Sequence, residues 1–148
     1  MIRNEAEYKE AVERLLSEKE RLHSHRKSLA DQGLKKSQIK AVMDPMLSFH
    51  QQLVEEVDCY ERLKRGELDE LFNLKDIGTL LIKGRIARNL SQRELAVKLG
   101  VSETQVSRDE RNEYHGVTLD RAARILKVLG IGLLINPQME RQEDSVVA

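Results

Sequence analysis

The amino-acid sequence predicts a mainly α-helical protein in which a long N-terminal helical hairpin precedes a bundle of short helices. The composition supports this, since the chain is 40% hydrophobic and 34% charged, with two Phe, three Tyr and no Trp. Such a chain is rich in helix formers and poor in strand formers. Apolar residues recur at helical spacing over the first half. In the second half, Ser or Thr precedes and Gly follows several apolar segments, as at helix ends.

The first helix is predicted over residues 4–31, which contain no Gly or Pro. Charged Lys19 and Arg26 stand at intermediate core positions, which makes a long coiled coil weak and favours packing in a hairpin. The apolar stripe repeats every seven residues and consists of Tyr8, Leu15, Leu22 and Leu29.

The second helix is predicted over residues 45–65, because Asp44 is a good N-cap and Pro45 suits the first helical position. Residues 34–44 are then a connector with at most a short helical turn. We expect the hairpin, residues 1–66, to pack on the C-terminal domain or on a second copy of itself. The apolar face of the second helix is predicted to consist of Met46, Phe49, Leu53, Val57 and Tyr60.

Two short helices separated by a tight turn are predicted around residues 91–111. Ser91 with Glu94 forms one capping box, Gly100 suits a left-handed helix end, and Ser102 with Gln105 forms a second box. Helices joined by so short a loop must cross steeply, which is the geometry of a helix-turn-helix unit.

This segment resembles the Xre-type helix-turn-helix family, which includes phage repressors and many bacterial antitoxins. The resemblance implies an ion pair between Arg85 and Glu110 that fixes the angle of the second helix. The chain departs from the family at Asp109, where an apolar residue is usual, and we expect Tyr114 to fill that place. The resemblance covers residues 76–135 and rests on Arg85, Gln92, Leu95, Ala96, Gly100, Val106, Ser107, Arg108, Glu110, Gly116 and the run ARILKVLGI.

The predicted domain order follows from these elements: hairpin 1–66, a connector 67–75 with a short helix, a repressor-like domain 76–136, and a flexible polar tail 137–148. The repressor-like domain should contain four to five helices, the fourth capped by Thr118. Residues 130–136 are either a short strand, as in antitoxins of this family, or a fifth helix. The buried side of the fourth helix is predicted to consist of Ala122, Ile125, Leu126 and Leu129.

The candidate DNA-contacting residues lie on the two helices of this unit. By resemblance to the phage repressors, Glu103, Thr104 and Arg108 contact bases, and Ser107 can reach a base or a phosphate. The N-terminus of the preceding helix offers free N–H groups to phosphate. The predicted phosphate contacts are Gln92, Arg93, Ser102, Arg111 and Asn112.

Charge and motif content narrow the possible functions. Of the three segments 1–75, 76–136 and 137–148, only residues 76–136 are net positive, with 10 basic and 7 acidic side chains, which supports phosphate contacts. The four His and single Cys lack metal-ligand spacing, and no nucleophile–base pair or phosphate-binding glycine loop is present. We therefore expect no metal, no cofactor and no enzymatic activity. The N-terminus lacks a signal-peptide core and no apolar run could span a bilayer, so a cytoplasmic location is expected without membrane association.

Three functional hypotheses follow. The first is a transcriptional regulator, acting as a homodimeric repressor that places helix 102–113 in the major groove of palindromic double-stranded DNA. The second is an antitoxin that neutralises a partner toxin, through the N-terminal helices, and regulates its own operon. The third is a protein-interaction module that has lost DNA binding. The dimer could be held by the hairpin, by residues 131–135, or by both.

Overall fold

The computed structural model describes residues 1–139 and confirms a mainly α-helical fold with two long N-terminal helices. None of its helices is long and apolar enough to cross a membrane. Most of the predicted tail, residues 140–148, lies outside the described part. The elements are α1 (Glu5–Asp31), α2 (Lys36–Lys64), a 3-10 helix (Leu74–Asp76), α3 (Ile77–Ala87), α4 (Gln92–Leu99), α5 (Glu103–Arg111) and α6 (Leu119–Leu129).

The second helix begins at Lys36, so the start predicted at Pro45 is wrong. Pro45 lies inside the helix, where a proline removes one hydrogen bond and costs about 3 kcal/mol. The cost is offset because Met43, which is 0% exposed, packs with Leu22 and Leu29 of α1. Burying one such side chain contributes about 1.5–3 kcal/mol, and helix must continue before Pro45 to place this outer cluster. Phe49 is 72% exposed, so its predicted place on the buried face is also wrong.

The hairpin packs on the C-terminal helices, which is one of the two arrangements expected from the sequence. A single apolar cluster joins Val57 and Leu63 of α2 to Leu81 and Ile82 of α3. At this junction the rings of Tyr8 and Tyr60 stack with centroids 5.1 Å apart. Tyr8 Oη also donates to Glu61 Oε1 over 2.7 Å. The base of the hairpin is therefore part of the main core.

As the pH is raised, all three tyrosine hydroxyls are expected to ionise well above their ordinary pKa, as the protein unfolds. Burial and Glu5 raise the pKa of Tyr60 to about 12. The hydrogen bond to Glu61 raises the pKa of Tyr8, and burial raises that of Tyr114. A raised folded-state pKa gives stability that is complete below pH 10, the ordinary tyrosine pKa, and is lost as the pH rises towards the folded-state value.

Tyrosinate absorbance near 295 nm tests this directly, because the chain has three Tyr and no Trp. The absorbance should rise above pH 10 in parallel with the loss of helical circular dichroism. Ionisation of two or three tyrosines near pH 10 with the helices intact would contradict the raised pKa values. A titration of free tyrosine amide under the same conditions is the reference for an unperturbed tyrosine.

The connector differs from its prediction, because residues 67–73 form no helix. Only Leu74–Asp76 make a 3-10 turn, in which the Asn73 side chain accepts from the Lys75 N–H. Acidic side chains of the segment bind the end of the hairpin instead, with Arg62 Nη2 donating to Asp69 Oδ1 over 2.8 Å. These ion pairs favour an extended path.

The predicted turn between α4 and α5 is present. The Ser91 hydroxyl accepts from the Glu94 N–H and the Glu94 carboxylate accepts from the Ser91 N–H. Gly100 ends α4 with φ of +70°, a conformation that favours glycine. The second capping box is only half formed: Ser102 accepts from the Gln105 N–H, but the Gln105 amide donates to Asp109.

The α5 helix ends at Arg111 and does not reach residue 113 as predicted. Glu113 and Tyr114 both have φ of +52°, a left-handed conformation in which an α-helix cannot continue. The backbone of α3 comes close at this turn, since a Cβ added to Gly78 would lie 2.0 Å from the Glu113 carbonyl oxygen.

The α6 helix begins at the predicted cap and buries the four predicted residues. The sequence did not predict the role of Arg88, the residue that follows α3. Its guanidinium donates to the carbonyls of Leu129 and Gly130, each over 2.6 Å, and so binds the end of α6. Beyond Gly130, residues 131–139 have no regular secondary structure. Neither the strand nor the fifth helix predicted for 130–136 is present among the described residues. Gly130, with φ of +64°, stops the helix, and no other described segment supplies the neighbour that a strand requires.

Candidate nucleic-acid interface

The structure brings six of the predicted DNA-contacting residues around one shallow depression. The depression has a volume of about 330 Å³ and lies where the N-terminus of α4 meets α5. It is lined by Gln92, Glu103, Thr104, Ser107, Arg108 and Arg111.

The helix α5 has two clearly different sides. Val106 and Glu110 are buried against the bundle, whereas Glu103, Thr104 and Arg108 are exposed and Ser107 is half-buried. The outward positions recur at a helical spacing, which gives a continuous polar ridge about two turns long. Such a ridge has the width and the chemistry to enter a major groove.

A buried ion pair holds this ridge in place. Arg85 and Glu110 are 2% and 0% exposed. Arg85 Nε lies 2.5 Å from Glu110 Oε1, and Arg85 Nη2 lies 2.8 Å from Glu110 Oε2. This two-bond geometry fixes direction as well as distance, so α3 determines the orientation of α5.

The same guanidinium also binds backbone outside α5, which the sequence did not reveal. Arg85 Nη1 donates to the Leu90 carbonyl over 2.7 Å, and Nη2 donates to the Arg3 carbonyl over 2.8 Å. One side chain thus connects the start of the hairpin, the loop before α4 and the end of α5. A backbone carbonyl acceptor carries no residue signature, so no sequence pattern could have identified Arg3.

Gln92 lies at the start of α4, and its side chain is already engaged. Its Nε2 donates to Glu110 Oε2 over 2.7 Å. The carboxylate of Glu110 therefore receives hydrogen bonds from both Arg85 and Gln92. The proposed contact of Gln92 with phosphate must come from its backbone N–H or from the rest of its amide group.

Asp109, the departure from the family pattern, is held by two polar partners. Gln105 Nε2 donates to Asp109 Oδ1 over 3.0 Å, and the Arg121 guanidinium of α6 pairs with Asp109 Oδ2. Tyr114 is buried beside this pair, and its N–H donates to the Asp109 carbonyl over 2.8 Å. The buried ring lies against the end of α5, and the Arg121 pair explains why an acid is tolerated at this position.

The remaining predicted residues, Arg93, Ser102 and Asn112, do not line this depression. Arg93 is exposed on the first turn of α4, and Ser102 caps α5 through its hydroxyl. Asn112 lines a neighbouring groove of about 820 Å³ with His115 and Lys75. Arg111 borders both concavities. A third groove, of about 510 Å³, places Arg3, Lys64 and Asn89 near Gln92 and Glu103, and none of these three was a candidate from the sequence.

Comparison with known proteins assigns part of the chain. Residues 81–135 match a protein-family model described as helix-turn-helix. No curated protein and no solved structure matches the chain. Within residues 1–139, no group of three or more His, Cys, Asp or Glu side chains could hold a metal ion.

Proposed function

We propose that this protein is a sequence-specific transcriptional repressor, because residues 81–135 match a helix-turn-helix family model and helix-turn-helix units place a recognition helix in DNA. Two copies would bind a palindromic operator, each with α5 in the major groove. The observation that carries this proposal is the polar ridge of α5, whose orientation the buried Arg85–Glu110 pair fixes. The recognition residues are thus held ready before DNA arrives.

Each exposed side chain of the ridge has a suitable role. The Arg108 side chain forms no hydrogen bond or ion pair with the described residues, so its guanidinium is available for two bonds to one guanine. Thr104 can pack its methyl group on a thymine methyl, and Ser107 can donate to a base or a phosphate. Glu103 can accept from the cytosine amino group. At a site without this cytosine, the negative charge of Glu103 near the phosphates would weaken binding. Glu103 would therefore also discriminate against the wrong base.

The proposed phosphate contacts surround the ridge. The first turn of α4 presents Arg93 and the free N–H groups of a helix N-terminus, which attract anions. Ser102 offers a hydroxyl at the start of α5, and Arg111 and Asn112 lie at its end. Gln92, at the start of α4, is the last of the proposed phosphate contacts. These groups position the helix on the duplex, and the ridge supplies specificity.

A second copy would be held by the segment after α6. Leu134 is 98% exposed, and Leu133 and Ile135 are also exposed, although apolar residues in a row are costly to leave in water. The backbone here has no regular structure in one chain. Pairing with the same segment of another copy would satisfy its N–H and C=O groups and bury these side chains. A two-fold dimer then presents two α5 helices to a palindrome.

Fluorescence anisotropy with the full chain tests the proposal. The labelled duplex carries the region upstream of the gene, and a duplex selected from a random library with this protein covers an operator located elsewhere. Binding should be tighter to these duplexes than to a shuffled duplex of equal length, and it should weaken steeply with salt. Equal affinity for all duplexes would refute sequence-specific recognition. No salt-sensitive affinity for any duplex would also support the protein-interaction alternative.

An antitoxin remains the second candidate, and the exposed apolar side chains of the hairpin favour it. Phe49 on α2 and Leu16 on α1 are both largely exposed, and covering them with a partner protein would remove apolar area from water. The distinguishing observation is whether the product of the adjacent gene co-purifies with the full chain.

A further inference from the structure

The far end of the hairpin is strongly basic. Residues 19–40, here called the hairpin tip, contain seven basic and two acidic side chains. The flanking hairpin segments have the opposite balance, with three basic and five acidic side chains in residues 1–18 and three and five in 41–66. The hairpin as a whole therefore has a net charge of only +1, whereas its tip carries +5, compared with +3 for residues 76–136.

The basic side chains of the tip are free to meet a partner. All seven residues are exposed. Lys40 pairs with Asp44 on the next turn, with Nζ 3.2 Å from Oδ2. The other six form no ion pair with any residue from 1 to 139, and they are Lys19, Arg21, Arg26, Lys27, Lys35 and Lys36. Unpaired positive charges that lie close together repel one another, and the binding of an anion reduces this repulsion.

The charges are presented on a firm scaffold. Lys19 and Arg26 are seven residues apart on α1 and lie along one side of that helix. Leu29 and Met43 form the apolar cluster that holds α1 and α2 together beneath them. At about 1.5 Å per residue, the end of α1 extends roughly 30 Å beyond Ala11, the last residue of α1 buried in the main core. The tip is therefore a separate surface from the α5 ridge.

We propose that the hairpin tip binds the sugar–phosphate backbone of DNA, outside the base pairs that α5 contacts. Residues 19–40 contain no Phe, Tyr or Trp that could stack on bases, so the contact would be electrostatic and independent of sequence. A basic toxin-like protein is disfavoured as an occupant, because like charges would oppose it. The proposal goes beyond the proposed function, since it requires no recognition by α5.

The test removes three tip charges from the full chain in the variant Lys19→Gln, Arg26→Gln and Lys36→Gln. The probe is a random-sequence duplex several times longer than one half-site, titrated by anisotropy over a range of salt concentrations. Each lost phosphate contact lowers the slope of log K against log salt by about 0.9. The slope should therefore decrease by about 2–3 in magnitude.

The matched control removes the same charge elsewhere, in the variant Lys9→Gln, Lys98→Gln and Lys127→Gln, whose residues are exposed and unpaired within 1–139. Its slope should change by less than 1. An equal decrease in slope for both variants would show a general effect of net charge and would overturn the proposal. An unchanged slope for the tip variant would also overturn it, and an acidic protein would then be the expected occupant of the tip. Repeating the series with Arg108→Ala separates it from the proposed function, since the tip effect should persist. Thermal unfolding by circular dichroism verifies that each variant is folded.

Discussion

Arg108→Ala is expected to lower the affinity for the operator by about 10- to 100-fold while changing the affinity for random DNA by less than about threefold. Arg108 is exposed at the centre of the α5 ridge. A guanidinium that makes two hydrogen bonds to one guanine discriminates between bases, and its loss is felt only on the correct sequence. The measurement is anisotropy with the operator duplex and with a shuffled duplex.

Two further variants distinguish base contact from phosphate contact. Arg108→Lys keeps the charge but not the planar fork, so it should bind random DNA as the native chain does and still bind the operator weakly. Arg93→Ala should weaken binding to both duplexes alike and reduce the salt dependence of that binding. Equal losses on both duplexes for Arg108→Ala would show that Arg108 contacts phosphate. The side chains of Arg93 and Arg108 form no hydrogen bond or ion pair with the described residues, so the thermal unfolding midpoint should stay unchanged.

The parts of the fold that could be predicted from the sequence are those set by neighbouring residues. Ser91 with Glu94, Gly100 and Thr118 act within one turn of helix, so the starts and ends of α4 and α6 followed from local pattern. Pro45 shows the limit of this approach. Its local signal favours a helix start, but the burial of Met43 against α1 extends the helix nine residues further back, to Lys36.

The candidate site shows the same division. The outward positions of α5 followed from helical spacing and from the family resemblance, because both depend on residue type at fixed intervals. The contacts that hold the site in place could not be predicted in this way. Arg85 binds the carbonyl of Arg3, and Arg88 binds the carbonyls of Leu129 and Gly130. Every residue has a carbonyl, so these partners are determined by the tertiary fold alone.

Glu110→Ala is expected to lower the free energy of unfolding by about 3–5 kcal/mol, because it leaves the buried Arg85 without its partner. It also removes the acceptor for Gln92. A loss of this size is a large fraction of the roughly 5–15 kcal/mol that typically stabilises a domain, so the variant should unfold at a much lower urea concentration than the native chain. Urea unfolding followed by circular dichroism measures the loss. Glu113→Ala is the control, because Glu113 is exposed and lies 3.9 Å from Arg3; an equal effect would contradict a special role for the buried pair.

A double variant, Arg85→Met with Glu110→Leu, separates stability from orientation. Apolar residues of similar size often replace a buried ion pair at little cost, so this variant should recover much of the stability lost in Glu110→Ala. It lacks the two-bond geometry that sets the direction of α5 and the donor to the Arg3 carbonyl. We therefore expect it to fold and to bind the operator more weakly than the native chain. Full operator affinity in the double variant would mean that apolar packing alone orients α5, and the buried pair would then contribute only to stability.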